Sequence, residues 1–556
     1  MKTVKCKTVR WFMVGLMFFS LCAATWAWEP NAKDLEAAVA SGDFGAYFGN
    51  LTTWLGGKVP ADANRISESA MQALVKDPSV LGGLTLRHFI AKCGAQNLGA
   101  FARADQSNKA FLTWLLNNTE AMDLCLIGAT PNTRGHRADN SWSVPISALE
   151  IWKKIYSADP ESKSGIYLRL AIATGLNPPG TSERGAGQPP KPADPLDRYN
   201  HFKKAHKNGE LFPTFDTLAV WDLRHVVNSN ASDEDLAWGR EMVNTWRPDL
   251  RNKEQVVVTT SSVWRRNSPI PFNDTYKNVL SGGGKCGPRS SWAVFICQAW
   301  GLPAFGVGQP AHACCAYRAA YPSAEPQPGC RWKVVQGRGW VVSKLDGTSG
   351  PEFFAGVIER ERRDDFALVE HLRWLASAMK PPAQAAVMNV VNVVQKVSAE
   401  KAVAEQSQQK DEPMPAAETK PEPAFAPKPG VIHVEAEAFA KMSGVSVYDC
   451  YTGGKQVNFG QSVNDSWAEY TIDVPATGVY GLTLRTAAVN VDQVLNIRSG
   501  TNALATAKVS QTHGLWGTTE EVDIKLNKGP HTLQVAAPFQ RGVAFRWFEL
   551  KAKGSR

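Results

Sequence analysis

The sequence predicts a multidomain chain with an α-helical N-terminal region, an α+β core and a C-terminal antiparallel β-sandwich. Apolar residues recur at three-to-four spacing over residues 30–180, which is typical of helices. A helix-like segment at 286–300 is followed by short β-rich pieces, and alternation with period two begins at residue 431. The length of 556 residues fits about three domains. A composition of 44% hydrophobic and 20% charged residues excludes collagen-like, fully disordered and coiled-coil chains.

The charge balance is weak. The chain has 61 Lys and Arg residues against 52 Asp and Glu residues, a formal net charge of +9. Lys2, Lys5, Lys7 and Arg10 contribute to this excess at the extreme N-terminus, and the remainder is spread over the chain. We therefore predict no nucleic-acid partner, because nucleic-acid binding needs clustered positive charge.

Residues 1–27 have the layout of a secretory signal peptide. Residues 1–10 are basic, residues 11–24 are apolar, and small residues precede a cleavage point. The apolar run is shorter than the ~20 residues needed to span a bilayer, so export with cleavage is favoured over a membrane anchor. The predicted location is secreted, periplasmic or cell-surface, with no membrane span after signal cleavage.

Composition changes divide the rest of the chain. Residues 28–195 form a helical domain of unknown role, which ends in a Gly- and Pro-rich stretch. Residues 196–375 form the second domain, which includes a β-branched strand at 256–264. Residues 376–430 combine a helix, broken at Pro381-Pro382, with a Pro/Glu/Lys-rich linker. Residues 431–552 form the sandwich.

The segment with the most chemistry spans residues 281–317. A glycine run leads to Cys286 at the start of a predicted helix, where unpaired N–H groups and the helix dipole favour a thiolate. His312 follows on one candidate strand, and Asp346 follows on another. A cysteine beside a histidine that a carboxylate orients is a complete set for covalent catalysis.

Residues 255–350 resemble the transglutaminase-like superfamily of cysteine enzymes. The matching features are the glycine approach to Cys286, the Ala-Trp-Gly-Leu-Pro-Ala helix end at 299–304, His312, and the Trp-bearing strand ending in Asp346. The resemblance implies a papain/transglutaminase-like core in which Cys286 is the nucleophile, His312 the base and Asp346 the orienting acid. It implies a hydrolase (peptidase or amidase) or an acyltransferase that acts on amide bonds of a protein or peptide through a Cys thioester. No cofactor is expected for catalysis.

Two departures from that family keep alternatives open. The residues after His312 are Ala313-Cys314-Cys315, where the family usually has a Trp. A Pro-rich insert stretches the interval to Asp346, so Asp364 and Asp365 are substitute candidates for the acid. The alternatives are a catalytically inactive carbohydrate-binding or surface protein, and a glycoside hydrolase, which would need a pair of carboxylates.

Eight cysteines remain once the signal peptide is removed. They are Cys93, Cys125, Cys286, Cys297, Cys314, Cys315, Cys330 and Cys450. An oxidising compartment favours disulfides, but their pairing does not follow from one sequence. The spacings contain no CxxC pair, which argues against a structural zinc site.

Residues 431–552 resemble a family 6-type carbohydrate-binding module, a galactose-binding-like β-sandwich. The resemblance rests on HVEAEAF at 433–439, the Gly453-Gly454 pair, LNKGPHTLQV at 526–535 and the closing FRWFEL. The family stacks loop aromatics on sugars, which implies glycan-binding roles for Tyr451 and Trp516 and a polysaccharide or glycoprotein partner. Trp467 and Trp547 lie in strands and are predicted to be core.

The same resemblance implies a structural calcium ion. Glu435 and Glu437 match the family's early acidic pair, and Glu549 is a third candidate ligand. Carboxylate oxygens are the ligands that Ca²⁺ prefers. This chain has no Asn just before its last Trp-bearing strand, where the family uses one to contact sugar.

Overall fold

The computed structural model describes ten stretches of the chain. These are residues 28–138, 141–180, 193–251, 276–319, 331–335, 349–406, 428–459, 466–490, 493–538 and 542–553. The predicted signal peptide, the predicted strand at 256–264 and Asp346 lie outside the described residues.

The described residues contain eighteen α-helices. The first ten are α1 (Ala32–Ser41), α2 (Gly45–Lys58), α3 (Glu68–Lys76), α4 (Pro78–Cys93), α5 (Ala95–Ala104), α6 (Gln106–Leu116), α7 (Thr119–Ala129), α8 (Arg134–Ala138), α9 (Ile146–Ala158) and α10 (Gly165–Leu176). The other eight are α11 (Pro195–Lys207), α12 (Val220–Val227), α13 (Asp233–Trp246), α14 (Tyr276–Gly282), α15 (Cys286–Ala299), α16 (Gly350–Glu361), α17 (Arg363–Ala378) and α18 (Ala383–Gln406).

Side-chain caps fix where many of these helices begin. Asn31 accepts a hydrogen bond from the Asp34 N–H at the start of α1, and Asp105 and Asn118 cap α6 and α7 in the same way. Such residues satisfy N–H groups that have no partner inside the helix. The predicted helical N-terminal region is confirmed.

One apolar core joins the helices. It includes Leu35 of α1, Leu170 of α10, Leu223 of α12, Phe295 of α15 and Val391 of α18. The helices on both sides of residue 195 therefore bury their apolar faces in common, which stabilises them by roughly 25 cal/mol for each Å² removed from water.

A small antiparallel sheet packs against α15. Its strands are β1 (Ala304–Gln309), β2 (His312–Arg318) and β3 (Trp332–Val335), in the order β1-β2-β3. Cys315 and Tyr317 of β2 belong to the core shared with α15. Cys314 and Ala316 belong to a second cluster with Trp221. The two clusters follow from the alternation of side chains along a strand.

The C-terminal part is an antiparallel β-sandwich, as predicted. Its strands are β4 (Val431–Glu435), β5 (Lys441–Ser443), β6 (Val445–Asp449), β7 (Lys455–Phe459), β8 (Ser466–Val474), β9 (Gly478–Ala488), β10 (Gln493–Ser499), β11 (Asn502–Val509), β12 (Gly517–Thr518), β13 (Val522–Leu526), β14 (Gly529–Ala537) and β15 (Val543–Ala552). One sheet runs β11-β10-β14-β8-β5 and the other β12-β9-β15-β7-β6, with β13 beside β9 and β4 beside β15.

The sandwich has its own apolar core between the two sheets. Tyr470, Leu484, Ile497 and Phe545 are buried there, and the Tyr470 hydroxyl donates to the Ala436 carbonyl at 2.8 Å. Among all the described residues, no helix has both the length and the apolar character needed to cross a bilayer.

Candidate functional site

Cys286 is the first residue of α15, as the sequence predicts. Gly283 has a φ of +73°, a left-handed conformation that suits glycine and lets the chain turn from α14 into α15. Lys285 precedes Cys286 at the N-cap and makes no side-chain cap hydrogen bond. The first-turn N–H groups of α15 therefore have no side-chain acceptor at this cap.

Accessibility separates Cys286 from the other cysteines of the described chain. All seven described cysteines are free thiols, and Cys286 alone among them is not buried. Burial raises the pKa of Cys93 and Cys297 well above the usual range and that of Cys125 to about 12. These buried thiols are therefore poor nucleophiles, because the thiolate is the reactive form.

His312 is placed by a tight hairpin. It begins β2 and pairs with Gln309, the last residue of β1, so that Pro310 and Ala311 form the turn between them. Ala311 has a φ of +55°, where glycine is usual. Pro followed by a residue of positive φ is the pattern of a type II turn. His312 is half-buried.

The structure relates Cys286 to His312 through an intermediate residue, Cys314. Burial, followed by the nearby Cys315 and Cys286 thiols, raises the pKa of Cys314 to about 11. His312 is two residues from Cys314 on the same face of β2, about 6.8 Å along the strand. His312 and Cys314 therefore share the face of β2 that is turned away from α15, whereas Cys315 faces α15, so a common site for Cys286 and His312 stays a prediction.

The predicted acid is not placed by the structure, because Asp346 lies outside the described residues. The substitute candidates both lie in the first turn of α17. Asp365 accepts a hydrogen bond from Arg362 at 2.7 Å, whereas Asp364 is exposed. The identity of the orienting acid stays a prediction.

Two amide side chains of the sandwich donate hydrogen bonds to the helical part and hold the two parts together. Gln456 and Asn458 of β7 are buried, and they donate from Nε2 and Nδ2 to the carbonyls of Thr245 and Trp246 at 3.0 and 2.7 Å. These carbonyls belong to the last turn of α13, where a helix lacks internal donors. The sandwich therefore caps α13.

Apolar contacts continue this interface. Ala487, Val489 and Ala544 of the sandwich belong to the core of the helices rather than to the sandwich's own core. A Cβ built on Gly514 would lie 2.5 Å from Met242 of α13, so the loop there is in close contact with the helix. Burial of this kind ties the two parts into one unit.

The two predicted glycan platforms lie at or beside this interface. The guanidinium carbon of Arg251 lies 4.5 Å from the ring centroid of Tyr451, over its face. Trp516 is half-buried and packs against the core shared with the helices. At least one face of the Tyr451 ring is therefore taken by a side chain of this chain.

The prediction that Trp467 and Trp547 are core residues is wrong. Both are half-buried, with buried residues beside them at Ala468 and Phe548. The alternation of the strands turns them outward from the sandwich core. Trp547 lies instead beside His433, with ring centroids 5.4 Å apart.

The three predicted calcium ligands do not form a metal site in the described structure. His433 lies between Glu435 and Glu549, with ring nitrogen to oxygen distances of 2.9 and 3.3 Å. Glu437 lies beside Gly454. Within the described stretches, no group of three or more His, Cys, Asp or Glu side chains is arranged to hold a metal ion. The structural calcium ion stays a prediction.

Sequence reasoning missed the residues that dock the sandwich. Gln456, Asn458, Arg251 and Gln511 are polar, and nothing in their local pattern distinguishes a partner far along the chain from water. Two adjacent left-handed residues, His513 and Gly514, mark the contacting loop as tight. Of these two residues, only Gly514 is of a type that predicts a left-handed conformation from the sequence.

Comparison with known proteins identifies the C-terminal part. Residues 435–552 match the model of the carbohydrate-binding module (family 6). A search of curated proteins finds none that matches. The family match does not extend to Cys286 or His312, so the transglutaminase-like character of that region stays a prediction.

Solved structures similar to the chain include three family 6 modules. The C-terminal module of the laminarinase LamC from Zobellia galactanivorans is 21% identical, with 22% of this chain and 98% of that chain covered and a TM-score of 0.20. A module of Cellvibrio mixtus lichenase 5A in complex with cellotriose is 21% identical, covering 22% and 97%, with a TM-score of 0.20. A Clostridium cellulolyticum module in complex with xylose is 22% identical, covering 21% and 94%, with a TM-score of 0.19. The family match identifies residues 435–552 as a family 6-type carbohydrate-binding module, as the sequence predicts.

Proposed function

We propose that the chain is an exported, transglutaminase-like cysteine enzyme that acts on amide bonds and is brought to glycans by its C-terminal module. The observation that carries the proposal is the position of Cys286. It is the accessible thiol among the described cysteines and lies at the N-terminus of α15, a helix that packs on β2, the strand that His312 begins. A thiol in this setting meets the structural requirements of a nucleophile.

The proposed reaction runs through a thioester. His312 takes the proton of Cys286, and the thiolate sulfur attacks the carbonyl carbon of the amide. The first-turn N–H groups of α15 stabilise the oxyanion. The C–N bond then breaks, and the amine leaves with the proton from His312. Water attacks the thioester to give an acid, or a second amine attacks it to give a new amide, and Cys286 regains its proton.

The supporting groups are assigned by role. Asp346 orients His312, with Asp364 and Asp365 as substitutes. Lys285 and Arg289 add positive charge to the first turn of α15, which favours the anionic sulfur. Water as the acyl acceptor defines a peptidase or amidase, whereas an amine acceptor defines a cross-linking enzyme. We favour hydrolysis for an exported enzyme.

Selective alkylation tests the thiol chemistry. The mature protein is treated with iodoacetamide at about pH 6, where an ordinary thiol of pKa about 8.5 is mostly unreactive. We expect fast labelling of Cys286, mapped by mass spectrometry, and at least a tenfold loss of rate in His312→Ala. His531→Ala on β14 is the matched control and should label like the wild type. Labelling of Cys286 no faster than that of a free thiol in solution would overturn the proposal.

A second candidate function is glycan binding without catalysis. The family match over residues 435–552 favours it, as do the unusual residues after His312. In gels that contain xylan or β-glucan, a pure binder is retarded equally with Cys286→Ala, and its thiols show no selective reactivity. Release of sugar that iodoacetamide does not inhibit would instead indicate a glycoside hydrolase.

The same gels test the glycan site and the calcium ion. Trp516→Ala should reduce retardation if this ring contacts sugar, while Trp547→Ala, on an outward strand position, serves as the control. Because the described side chains form no group arranged to hold a metal ion, we expect EDTA to leave retardation unchanged. A loss of retardation that Ca²⁺ restores would show that calcium binds after all.

A further inference from the structure

A loop of the sandwich contacts the helix that leads to Cys286. Gln511 donates a hydrogen bond from Nε2 to the Ser281 hydroxyl, near the end of α14. The Ser281 hydroxyl in turn donates to the Lys277 carbonyl at 2.9 Å. The loop therefore holds the C-terminal turn of α14 through a side chain that is itself fixed to the helix.

The chain between this contact and the thiol is short. Ser281 and Cys286 are five residues apart, so their Cα atoms are separated by at most about 18 Å. Gly282, Gly283 and Gly284 form most of the connection and have no side chains that could fix its path. The position of α14 therefore restricts where α15 can begin.

The same loop also holds α15 through an aromatic cluster. Trp238 of α13 donates from Nε1 to the His513 carbonyl at 3.0 Å. The Trp238 ring packs against Trp292 and Phe295 of α15, each with a centroid separation of 5.9 Å. Loop residues 511–514 thus reach α15 by two routes, one through α14 and one through Trp238.

We propose that residues 511–514 of the sandwich are a positioning element of the thiol site, with Gln511 as its central residue. The sandwich then has a second role besides glycan binding, since it fixes the N-terminus of α15 and with it the Cys286 sulfur relative to His312. This inference rests on the proposed thiol chemistry. It assigns Gln511 and Ser281 as positioning residues that do not touch the substrate.

The pH profile of alkylation tests the inference in the full chain. The rate of Cys286 labelling by iodoacetamide is measured from pH 5 to 9 for the wild type, Gln511→Ala, Ser281→Ala and the double variant. We expect each single variant to label at least threefold more slowly at pH 6 and to show a higher midpoint of its profile. The double variant should be no slower than the singles, because both remove one interaction. Gln534→Ala, on β14, is the matched control.

The outcomes separate the inference from the proposed function. A wild type without selective labelling of Cys286 overturns the proposed function, and the positioning role falls with it. A reactive wild type with unchanged single variants overturns the positioning role and leaves the proposed function standing. Additive losses in the double variant also overturn it. If Gln511→Ala does not fold, Ser281→Ala decides, because it removes only a hydroxyl from a half-buried helix position.

Discussion

The guanidinium of Arg251 lies over the ring of Tyr451, 4.5 Å from its centroid. The pair joins the end of the helical segment to the sandwich loop that the sequence assigns to sugar. A partly buried cation–π contact stabilises a protein by about 0.5–2 kcal/mol. Tyr451 therefore has a structural role in this chain, whatever it contributes to glycan binding.

A double-mutant cycle measures that role. We expect Arg251→Ala and Tyr451→Ala to couple by about 1 kcal/mol in the free energy of unfolding, measured by urea denaturation. The Arg247–Tyr448 pair crosses the same interface at 5.9 Å and is the comparison, with an expected coupling that is smaller. Additive losses for Arg251 and Tyr451 would show that the contact contributes nothing.

Alanine substitutions at two glycines distinguish the cost of backbone strain from the cost of contact with the helices. Gly514 and Gly500 have φ values of +80° and +58°, so alanine at either position costs about 1–2 kcal/mol. A Cβ on Gly514 also meets Met242 at 2.5 Å, whereas a Cβ on Gly500 meets nothing within 4 Å. We expect Gly514→Ala to cost about 1–3 kcal/mol more than Gly500→Ala, and to open the interface to proteases. Equal losses would contradict the close docking of this loop.

The hairpin that carries His312 holds a strained residue. Ala311 adopts a φ of +55° at the position where a type II turn prefers glycine. Ala311→Gly should raise the free energy of unfolding by about 0.5–1 kcal/mol, the αL strain of alanine less the extra backbone entropy of glycine. Ala311→Val should lower it. Thermal melts show whether each substitution stabilises or destabilises the protein. Destabilisation by Ala311→Gly would contradict the turn assignment.

Acid should destabilise the helical part through buried histidines. Burial, and then Arg224 and Arg360, lower the pKa of His225 to about 3. The unfolded chain takes up a proton near pH 6.5 while folded His225 stays neutral, so its contribution is complete above pH 6.5 and is lost as pH falls toward 3. Between pH 7 and 5 the loss should be about 2 kcal/mol.

His225→Phe tests this assignment, because it keeps an aromatic ring and removes the titrating group. Urea denaturation at pH 7 and pH 5 should show a smaller loss on acidification in the variant than in the wild type. His201, whose pKa burial and Arg240 lower to about 3, remains in both proteins. An unchanged difference between the two pH values would contradict the role of His225.

The local patterns of the sequence predict much of this structure. Ser232 before three acidic residues is a pattern typical of a helix start, and its hydroxyl accepts from the Asp235 N–H at 3.0 Å. The period-two alternation after residue 431 predicts strands such as β8, and the glycine run before Cys286 predicts the start of α15. These features depend on neighbours within a few residues, so one sequence contains their physical cause.

Contacts between distant residues are harder to predict. Gln456 lies in a strand pattern that suits solvent, yet it caps a helix more than two hundred residues earlier. The resemblance predicts Tyr451 as a sugar platform, but Arg251 lies over one face of its ring. Such pairings depend on how the domains pack against each other. The propensities of single residues contain no information about that packing.

The capping of α13 by Gln456 and Asn458 has a consequence for synthesis. The carbonyls of Thr245 and Trp246 find their donors only after β7 has been made, and Ala544 completes the shared core from β15. While the ribosome adds the intervening residues, the apolar face around Met242 and Trp246 stays open to water and to other chains. The nascent protein therefore carries an uncovered apolar surface for roughly half of translation, from Trp246 to Ala544 of a 556-residue chain. A stop codon between α13 and β7 removes the sandwich residues that cover this surface.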